Sequence, residues 1–233
     1  MKQILFFIAA LMSFGAAAQS LIGAWELTTE KNEATYQNIL IFSESHWAAA
    51  SFDANTGAFS RSKGGIWDLK GNELQETIEF NTENANQVGE TIQFEIVISE
   101  NEFHAKDGKN IWKRIDIGTP GDLAGAWLIS GRMRDGELQK RDTNRPRKTM
   151  KILSGTRFQW IAYNTETKEF MGTGGGTYTT VDGKYTENIE FFSRDNNRVG
   201  ASLQFDYELK DGDWHHSGLS SKGNPIYEVW SLR

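Results

Sequence analysis

The chain has 233 residues, 38% of them hydrophobic and 24% charged, with 23 Gly and 3 Pro, a composition that is globular and neither disordered nor collagenous. It holds no Cys, which excludes disulfides, thiolate chemistry and any Cys-based zinc or iron–sulfur site. A formal net charge of -6 supplies no general attraction to nucleic acid or to an anionic membrane.

In chain order, Met1 to Ser20 comes first: one Lys, an apolar run from Ile4 to Phe14, then Ala16-Ala17-Ala18 ahead of Gln19. This is the pattern of a secretory signal peptide, here residues 1–18, and it predicts export to the periplasm or medium. The run is short for a membrane span, which needs about 20 residues, so no membrane insertion is expected once the signal is removed.

The rest of the chain repeats itself. Shifted by 111 residues, Ile41 to His104 aligns with Ile152 to His215 without a gap, and sixteen of the 64 pairs are identical. Gly64-Gly65 matches Gly175-Gly176, and Glu76, Ile78, Glu79 and Phe80 match Glu187, Ile189, Glu190 and Phe191. The unit starts match at an offset of 102, so the second unit carries nine extra residues after its first strand. The repeat defines two units, residues 19–116 and 117–233, joined by the turn-rich segment Asp116 to Asp122.

Within each unit the period is two. Leu203, Phe205, Tyr207 and Leu209 alternate with Ser202, Gln204, Asp206 and Glu208, as in a strand with one buried face. Turn signals recur at equivalent places, Gly71-Asn72 and Asp182-Gly183, then Asn101 and Asp211-Gly212. About eight short strands per unit and no convincing helix predict an all-β fold, a sandwich or an antiparallel up-and-down barrel.

Gly23-Ala24-Trp25 and Gly125-Ala126-Trp127, each opening a unit, resemble the Gly-x-Trp signature of lipocalins and the wider calycin group. The resemblance implies two tandem barrels in which Trp25 and Trp127 close the bottom and an Arg of the last strand packs over each ring, Arg114 and Arg233. The Thr-Asp-Tyr motif and the helix after the barrel are absent, which describes a divergent, helix-less relative. The second unit, notably Phe170 to Tyr178 and Tyr185 to Glu190, is also similar to secreted lipocalin-like proteins of Bacteroidetes with no assigned function.

The alternation places Phe158, Trp160 and Ala162, then Tyr178, then Tyr185, Glu187, Ile189 and Phe191, then Leu203, Phe205, Tyr207 and Leu209 on one face of the second unit. Inside a barrel, aromatics with a few polar tips suit a small hydrophobic or amphipathic ligand, and they equally suit a filled core. Glu187, repeated as Glu76, needs a partner, since a carboxylate facing an apolar interior is costly unpaired. Trp214 and His216 should share a face with His215 opposite, so adjacent histidines cannot readily chelate one metal. The candidate ligand-binding set is therefore Phe158, Trp160, Tyr178, Tyr185, Glu187, Phe205, Tyr207 and His216, with no cofactor, metal or catalytic residue assigned. A Glu187 and His216 pair is the one acid–base alternative.

Gly172 to Gly176 is no phosphate loop, because a β-rich run and not a helix comes after it; glycine there permits a bulge or bend. The insertion region, Gly131 to Lys148, holds seven basic against three acidic residues, as a basic lid or a solvated loop. The second unit, richer in aromatics, is the better candidate for binding. The competing expectation is an interaction module with filled barrels that binds protein or glycan on its outer faces; the sequence leaves the oligomeric state open.

Overall fold

The computed structural model describes residues 20–220 and 223–233; the expected signal peptide lies outside the described residues. The first unit is a closed antiparallel barrel of β1 (Gly23–Lys31), β2 (Ala34–Phe42), β3 (His46–Asp53), β4 (Phe59–Lys70), β5 (Glu73–Asn81), β6 (Thr91–Ile98), β7 (Glu102–Ala105) and β8 (Trp112–Asp116). The second comprises β9 (Gly125–Arg134), β10 (Glu137–Lys140), β11 (Arg147–Leu153), β12 (Arg157–Asn164), β13 (Phe170–Val181), β14 (Lys184–Phe192), β15 (Ser202–Lys210), β16 (Asp213–Leu219) and β17 (Pro225–Leu232). Pairing of β17 with β9 closes eight of these into a second barrel. The ninth strand, β10, is the insertion: it pairs only with the far half of β9 through an Asp135-Gly136 turn, both residues at positive φ. The only helical residues among those described are two three-residue 3₁₀ turns, Ala85–Gln87 and Asn196–Arg198, at equivalent places in the repeat.

Each barrel is plugged alike. The indole of Trp25 donates to Leu21 O at 2.8 Å, and that of Trp127 to Leu123 O at 2.9 Å. Over Trp25 the Arg114 guanidinium lies 3.8 Å from the ring centroid and donates to Ile22 O and Ser20 O. Arg233 does not repeat this. Arg114 is two residues beyond the inward-facing Trp112 and shares its side; Arg233 is three beyond the inward-facing Trp230 and so points outward. There it reaches across to the first barrel and donates to Glu79 Oε2 at 2.7 Å and to Tyr163 Oη at 3.0 Å.

A second departure from simple alternation explains the double glycines. In β14, Ile189 faces Gly176 but Phe191 faces Gly175, so Glu190 is an extra, bulged residue; in β5, Glu79 is bulged in the same way opposite Gly64-Gly65. A Cβ on Gly65 would lie 1.9 Å from Thr77 O, and one on Gly176 2.0 Å from Asn188 O, so only glycine allows the approach. The bulge reverses the phase of the residues beyond it. Phe191, expected inside, packs against the first barrel, and Phe192 points in instead. Leu209, also expected inside, is 47% exposed at the strand end.

The barrels meet through their outer walls, and this seam is a third apolar core. Ile39, Ile41, Ala48, Ala50 and Phe52 pack with Met150, Ile152, Ile161, Tyr163 and Phe191. Phe52 stacks on Phe191 at 4.9 Å, and Tyr163 lies 5.0 Å from Phe80. These two contacts are exchanged by the 111-residue repeat, and Phe59 with Phe170 at 6.2 Å maps onto itself, so the seam has pseudo-two-fold symmetry. At its end, Asp116 accepts hydrogen bonds from Ala24 N and Gly118 N and from Ser154 Oγ, Gly155 N, Thr156 N and Thr156 Oγ1 of the second barrel. Burial raises this carboxyl, but the hydrogen bonds led by Thr156 outweigh it and hold it below the usual carboxylate range.

Candidate functional site

The interior of the second barrel is built in tiers. At the closed end Phe158, Tyr178, Trp127 and Trp214 pack against one another, and Tyr178 donates to Ser154 O at 2.6 Å. Above them Lys151 enters from β11, between Met150 and Ile152, whose side chains belong to the seam. Its ammonium donates to Glu187 Oε1 at 2.7 Å, and the same oxygen accepts from Tyr185 Oη at 2.8 Å. Four rings surround the cation, with centroids at 5.0 Å for Tyr185 and Trp214, 5.2 Å for Trp230 and 5.8 Å for Phe205. This meets the need of the repeated carboxylate for a partner with a cation that the sequence pattern does not single out.

Nearer the mouth, Glu228 of β17 faces Arg132 of β9, which donates to Glu228 Oε1, with its Nε at 3.2 Å. The other carboxylate oxygen is 3.6 Å from His216 Nδ1. Burial raises Glu228, but His216 and Arg132 outweigh it and hold it at about 2, so it is ionised at neutral pH. Burial and then the Lys151 charge lower the His216 imidazole, leaving it neutral. Both ring nitrogens of His216 and the indole N–H groups of Trp214 and Trp230 are buried without a hydrogen-bond partner. Such atoms are rare in native folds and mark a place that water or a ligand completes.

These charges floor an open cavity of about 280 Å³. Trp160, Phe192, Leu203, Phe205 and Ile226 are among its walls, and Lys151, Glu187, His216, Glu228 and Arg132, with Arg198 and Ser220, supply its polar surface. It is close to the lower bound of ordinary small-molecule sites. Among the described residues no group of three or more His, Cys, Asp or Glu is placed to hold a metal ion.

The first barrel has a counterpart of about 220 Å³ lined by Phe42, Trp47, Lys63, Glu76, Phe94 and Trp112, among others. Its chemistry differs. Lys63 comes from β4, not from the strand equivalent to β11, and lies 5.1 Å over Trp47. Burial lifts the Glu76 carboxyl to about 7, which Lys63 only partly offsets.

Of the eight residues expected to bind ligand, Trp160, Glu187, Phe205 and His216 line the cavity. Phe158, Tyr178 and Tyr185 lie in the packed tiers below it, and Tyr207 donates instead to Asp122 Oδ2 at 2.7 Å. His215 is on the outer side, 2.7 Å from Tyr227 Oη. The site also contains Lys151, Arg132, Glu228 and Phe192. Glu228 was visible in principle, in phase with Ile226 and Trp230. Lys151 is inconspicuous because β11, RKTMKIL, is basic from its start and buried on both faces from Met150 onward, so no alternation marks which way Lys151 points. In the basic insertion, Arg132 joins the site, while β10 forms an exposed edge beside it.

Residues 122–231 match the model of a family described as a domain of unknown function (DUF4488). The match begins beside the buried plug at Leu123 and ends in β17, so it spans the second barrel and its cavity. No curated protein matches the chain.

Proposed function

We propose that the protein is an exported binding protein that carries a small amphipathic molecule in the second barrel, as a divergent relative of the lipocalins. The observation that carries this reading is the aromatic-walled cavity with its buried, charge-paired floor. A barrel that served only as a packed core would have no use for Lys151, Glu187, His216 and Glu228 inside it, since each costs desolvation free energy that apolar side chains would not. The Met1 to Ser20 pattern, the two Trp plugs and Arg114 over Trp25 support the export and lipocalin parts of the reading. The test is native against denaturing mass spectrometry of the mature protein purified from its own host. A reproducible added mass, lost on denaturation and lost in Trp160→Ala, is the expected result. A bare protein mass under gentle conditions, together with no uptake of added small molecules, would favour the interaction-module reading.

A further inference from the structure

The polar floor restricts what the cavity can hold, and three classes of occupant fit it poorly. An added anion would sit beside the carboxylates of Glu187 and Glu228, and each cation lining the cavity already faces a carboxylate: Lys151 faces Glu187, Arg132 faces Glu228 and Arg198 faces Asp195. An added cation would meet Lys151 and Arg132 with no uncommitted carboxylate to receive it. A pure hydrocarbon would leave His216, 2% exposed and lining the cavity, without a hydrogen-bond partner.

His216 sets the remaining requirement. The ionised Glu228 oxygen 3.6 Å from Nδ1 draws the imidazole proton to that nitrogen. Nε2 is then a bare acceptor, buried and unpartnered. Beside it, the Lys151 ammonium has three protons and gives one to Glu187. A hydroxyl satisfies both neighbours, donating to His216 Nε2 and accepting from Lys151 Nζ. The walls favour a flat ring system: Trp160 and Phe192 lie 5.4 Å apart, and Phe205 is 4.2 Å from the imidazole.

Resting on the binding-protein reading above, we infer that the second barrel selects neutral ring compounds bearing a hydroxyl group, recognised through His216 Nε2. The ligand class is thus phenol-like or a hydroxylated alicycle, not a fatty acid, an amine or a bare hydrocarbon.

The test is isothermal titration of the full mature chain, at neutral pH, with a naphthalene series differing only in the polar group: the hydrocarbon, the naphthol, the naphthoate and the aminomethyl derivative. The naphthol is expected to bind about tenfold more tightly than the other three, the worth of one hydrogen bond to an otherwise stranded acceptor. His216→Phe should bring the naphthol down to the level of the hydrocarbon and leave the hydrocarbon unchanged. His216→Gln, whose amide oxygen can accept, should restore part of the preference. Trp160→Ala should weaken the whole series alike, placing the binding in this barrel. Tightest binding of the naphthoate or the amine, or a naphthol preference that survives His216→Phe, overturns the inference and leaves the binding-protein reading intact. Failure of every member to bind overturns both.

Discussion

The repeated carboxylates Glu76 and Glu187 occupy equivalent positions, yet their replacement by Gln should change stability in opposite directions. Glu76 is 5% exposed, and burial lifts its carboxyl from 4.5 to about 7. A carboxyl held above its unfolded value contributes its stability below pH 4.5 and loses it as pH rises through about 7. At about 1.4 kcal/mol per tenfold change in proton affinity, holding Glu76 ionised costs the fold about 3 kcal/mol on the alkaline side of that window. Glu76→Gln keeps the shape and removes the charge. The variant should therefore gain up to about 3 kcal/mol over the wild type near pH 8 and match it near pH 4. Comparing the two proteins cancels the rest of the titration, including that of His46, which burial and Arg233 lower to about 4 and which acts with the opposite sign. Glu187→Gln instead strands the Lys151 ammonium among its four rings and should cost about 3–5 kcal/mol near pH 8. Urea midpoints followed by tryptophan fluorescence across this range provide the measurement. If both variants destabilise the protein equally near pH 8, the assignment of unequal pairing to the two carboxylates is wrong.

Two further outcomes test the frame around the site. Trp127 is 5% exposed and anchored to Leu123, so Trp127→Ala should cost about 3–5 kcal/mol in urea unfolding; an unchanged midpoint would count against its role as a plug. Asp116→Asn turns an amide N–H towards donors and should cost about 3 kcal/mol or more at neutral pH, by the same assay. Because the native carboxyl is held below its ordinary value, its contribution is present above that value and disappears as pH falls through the folded one, so wild type and variant should converge in acid.

The tandem all-β architecture was legible because two independent signals agreed, alternation of period two and a gapless internal repeat, while the choice of barrel over sandwich rested on the Gly-x-Trp resemblance. The tiers of the second barrel were legible in part for the same reason, since Trp160, Glu187, Phe205 and His216 keep a simple phase along their strands. Phe191 did not, because the bulge at Glu190 inverts the phase one residue before it, and a bulge leaves only a double glycine on the neighbouring strand as its trace. The seam left still less. Strands that bury one face in a barrel and the other in a partner carry runs such as Ile39 to Phe42, where alternation vanishes and an inward Lys151 looks like an outward one. Arg233 was misplaced by a residue of spacing, which on a strand is the difference between inside and outside.

The pseudo-two-fold seam has a consequence for how the two cavities came to differ. A surface that pairs with its own repeat has the geometry of a homodimer interface, and holding both halves in one chain keeps that pairing while leaving each half free to carry a different interior. The lysines record that freedom: Lys63 and Lys151 approach the same carboxylate position from different strands, an exchange that two identical subunits could never make one at a time.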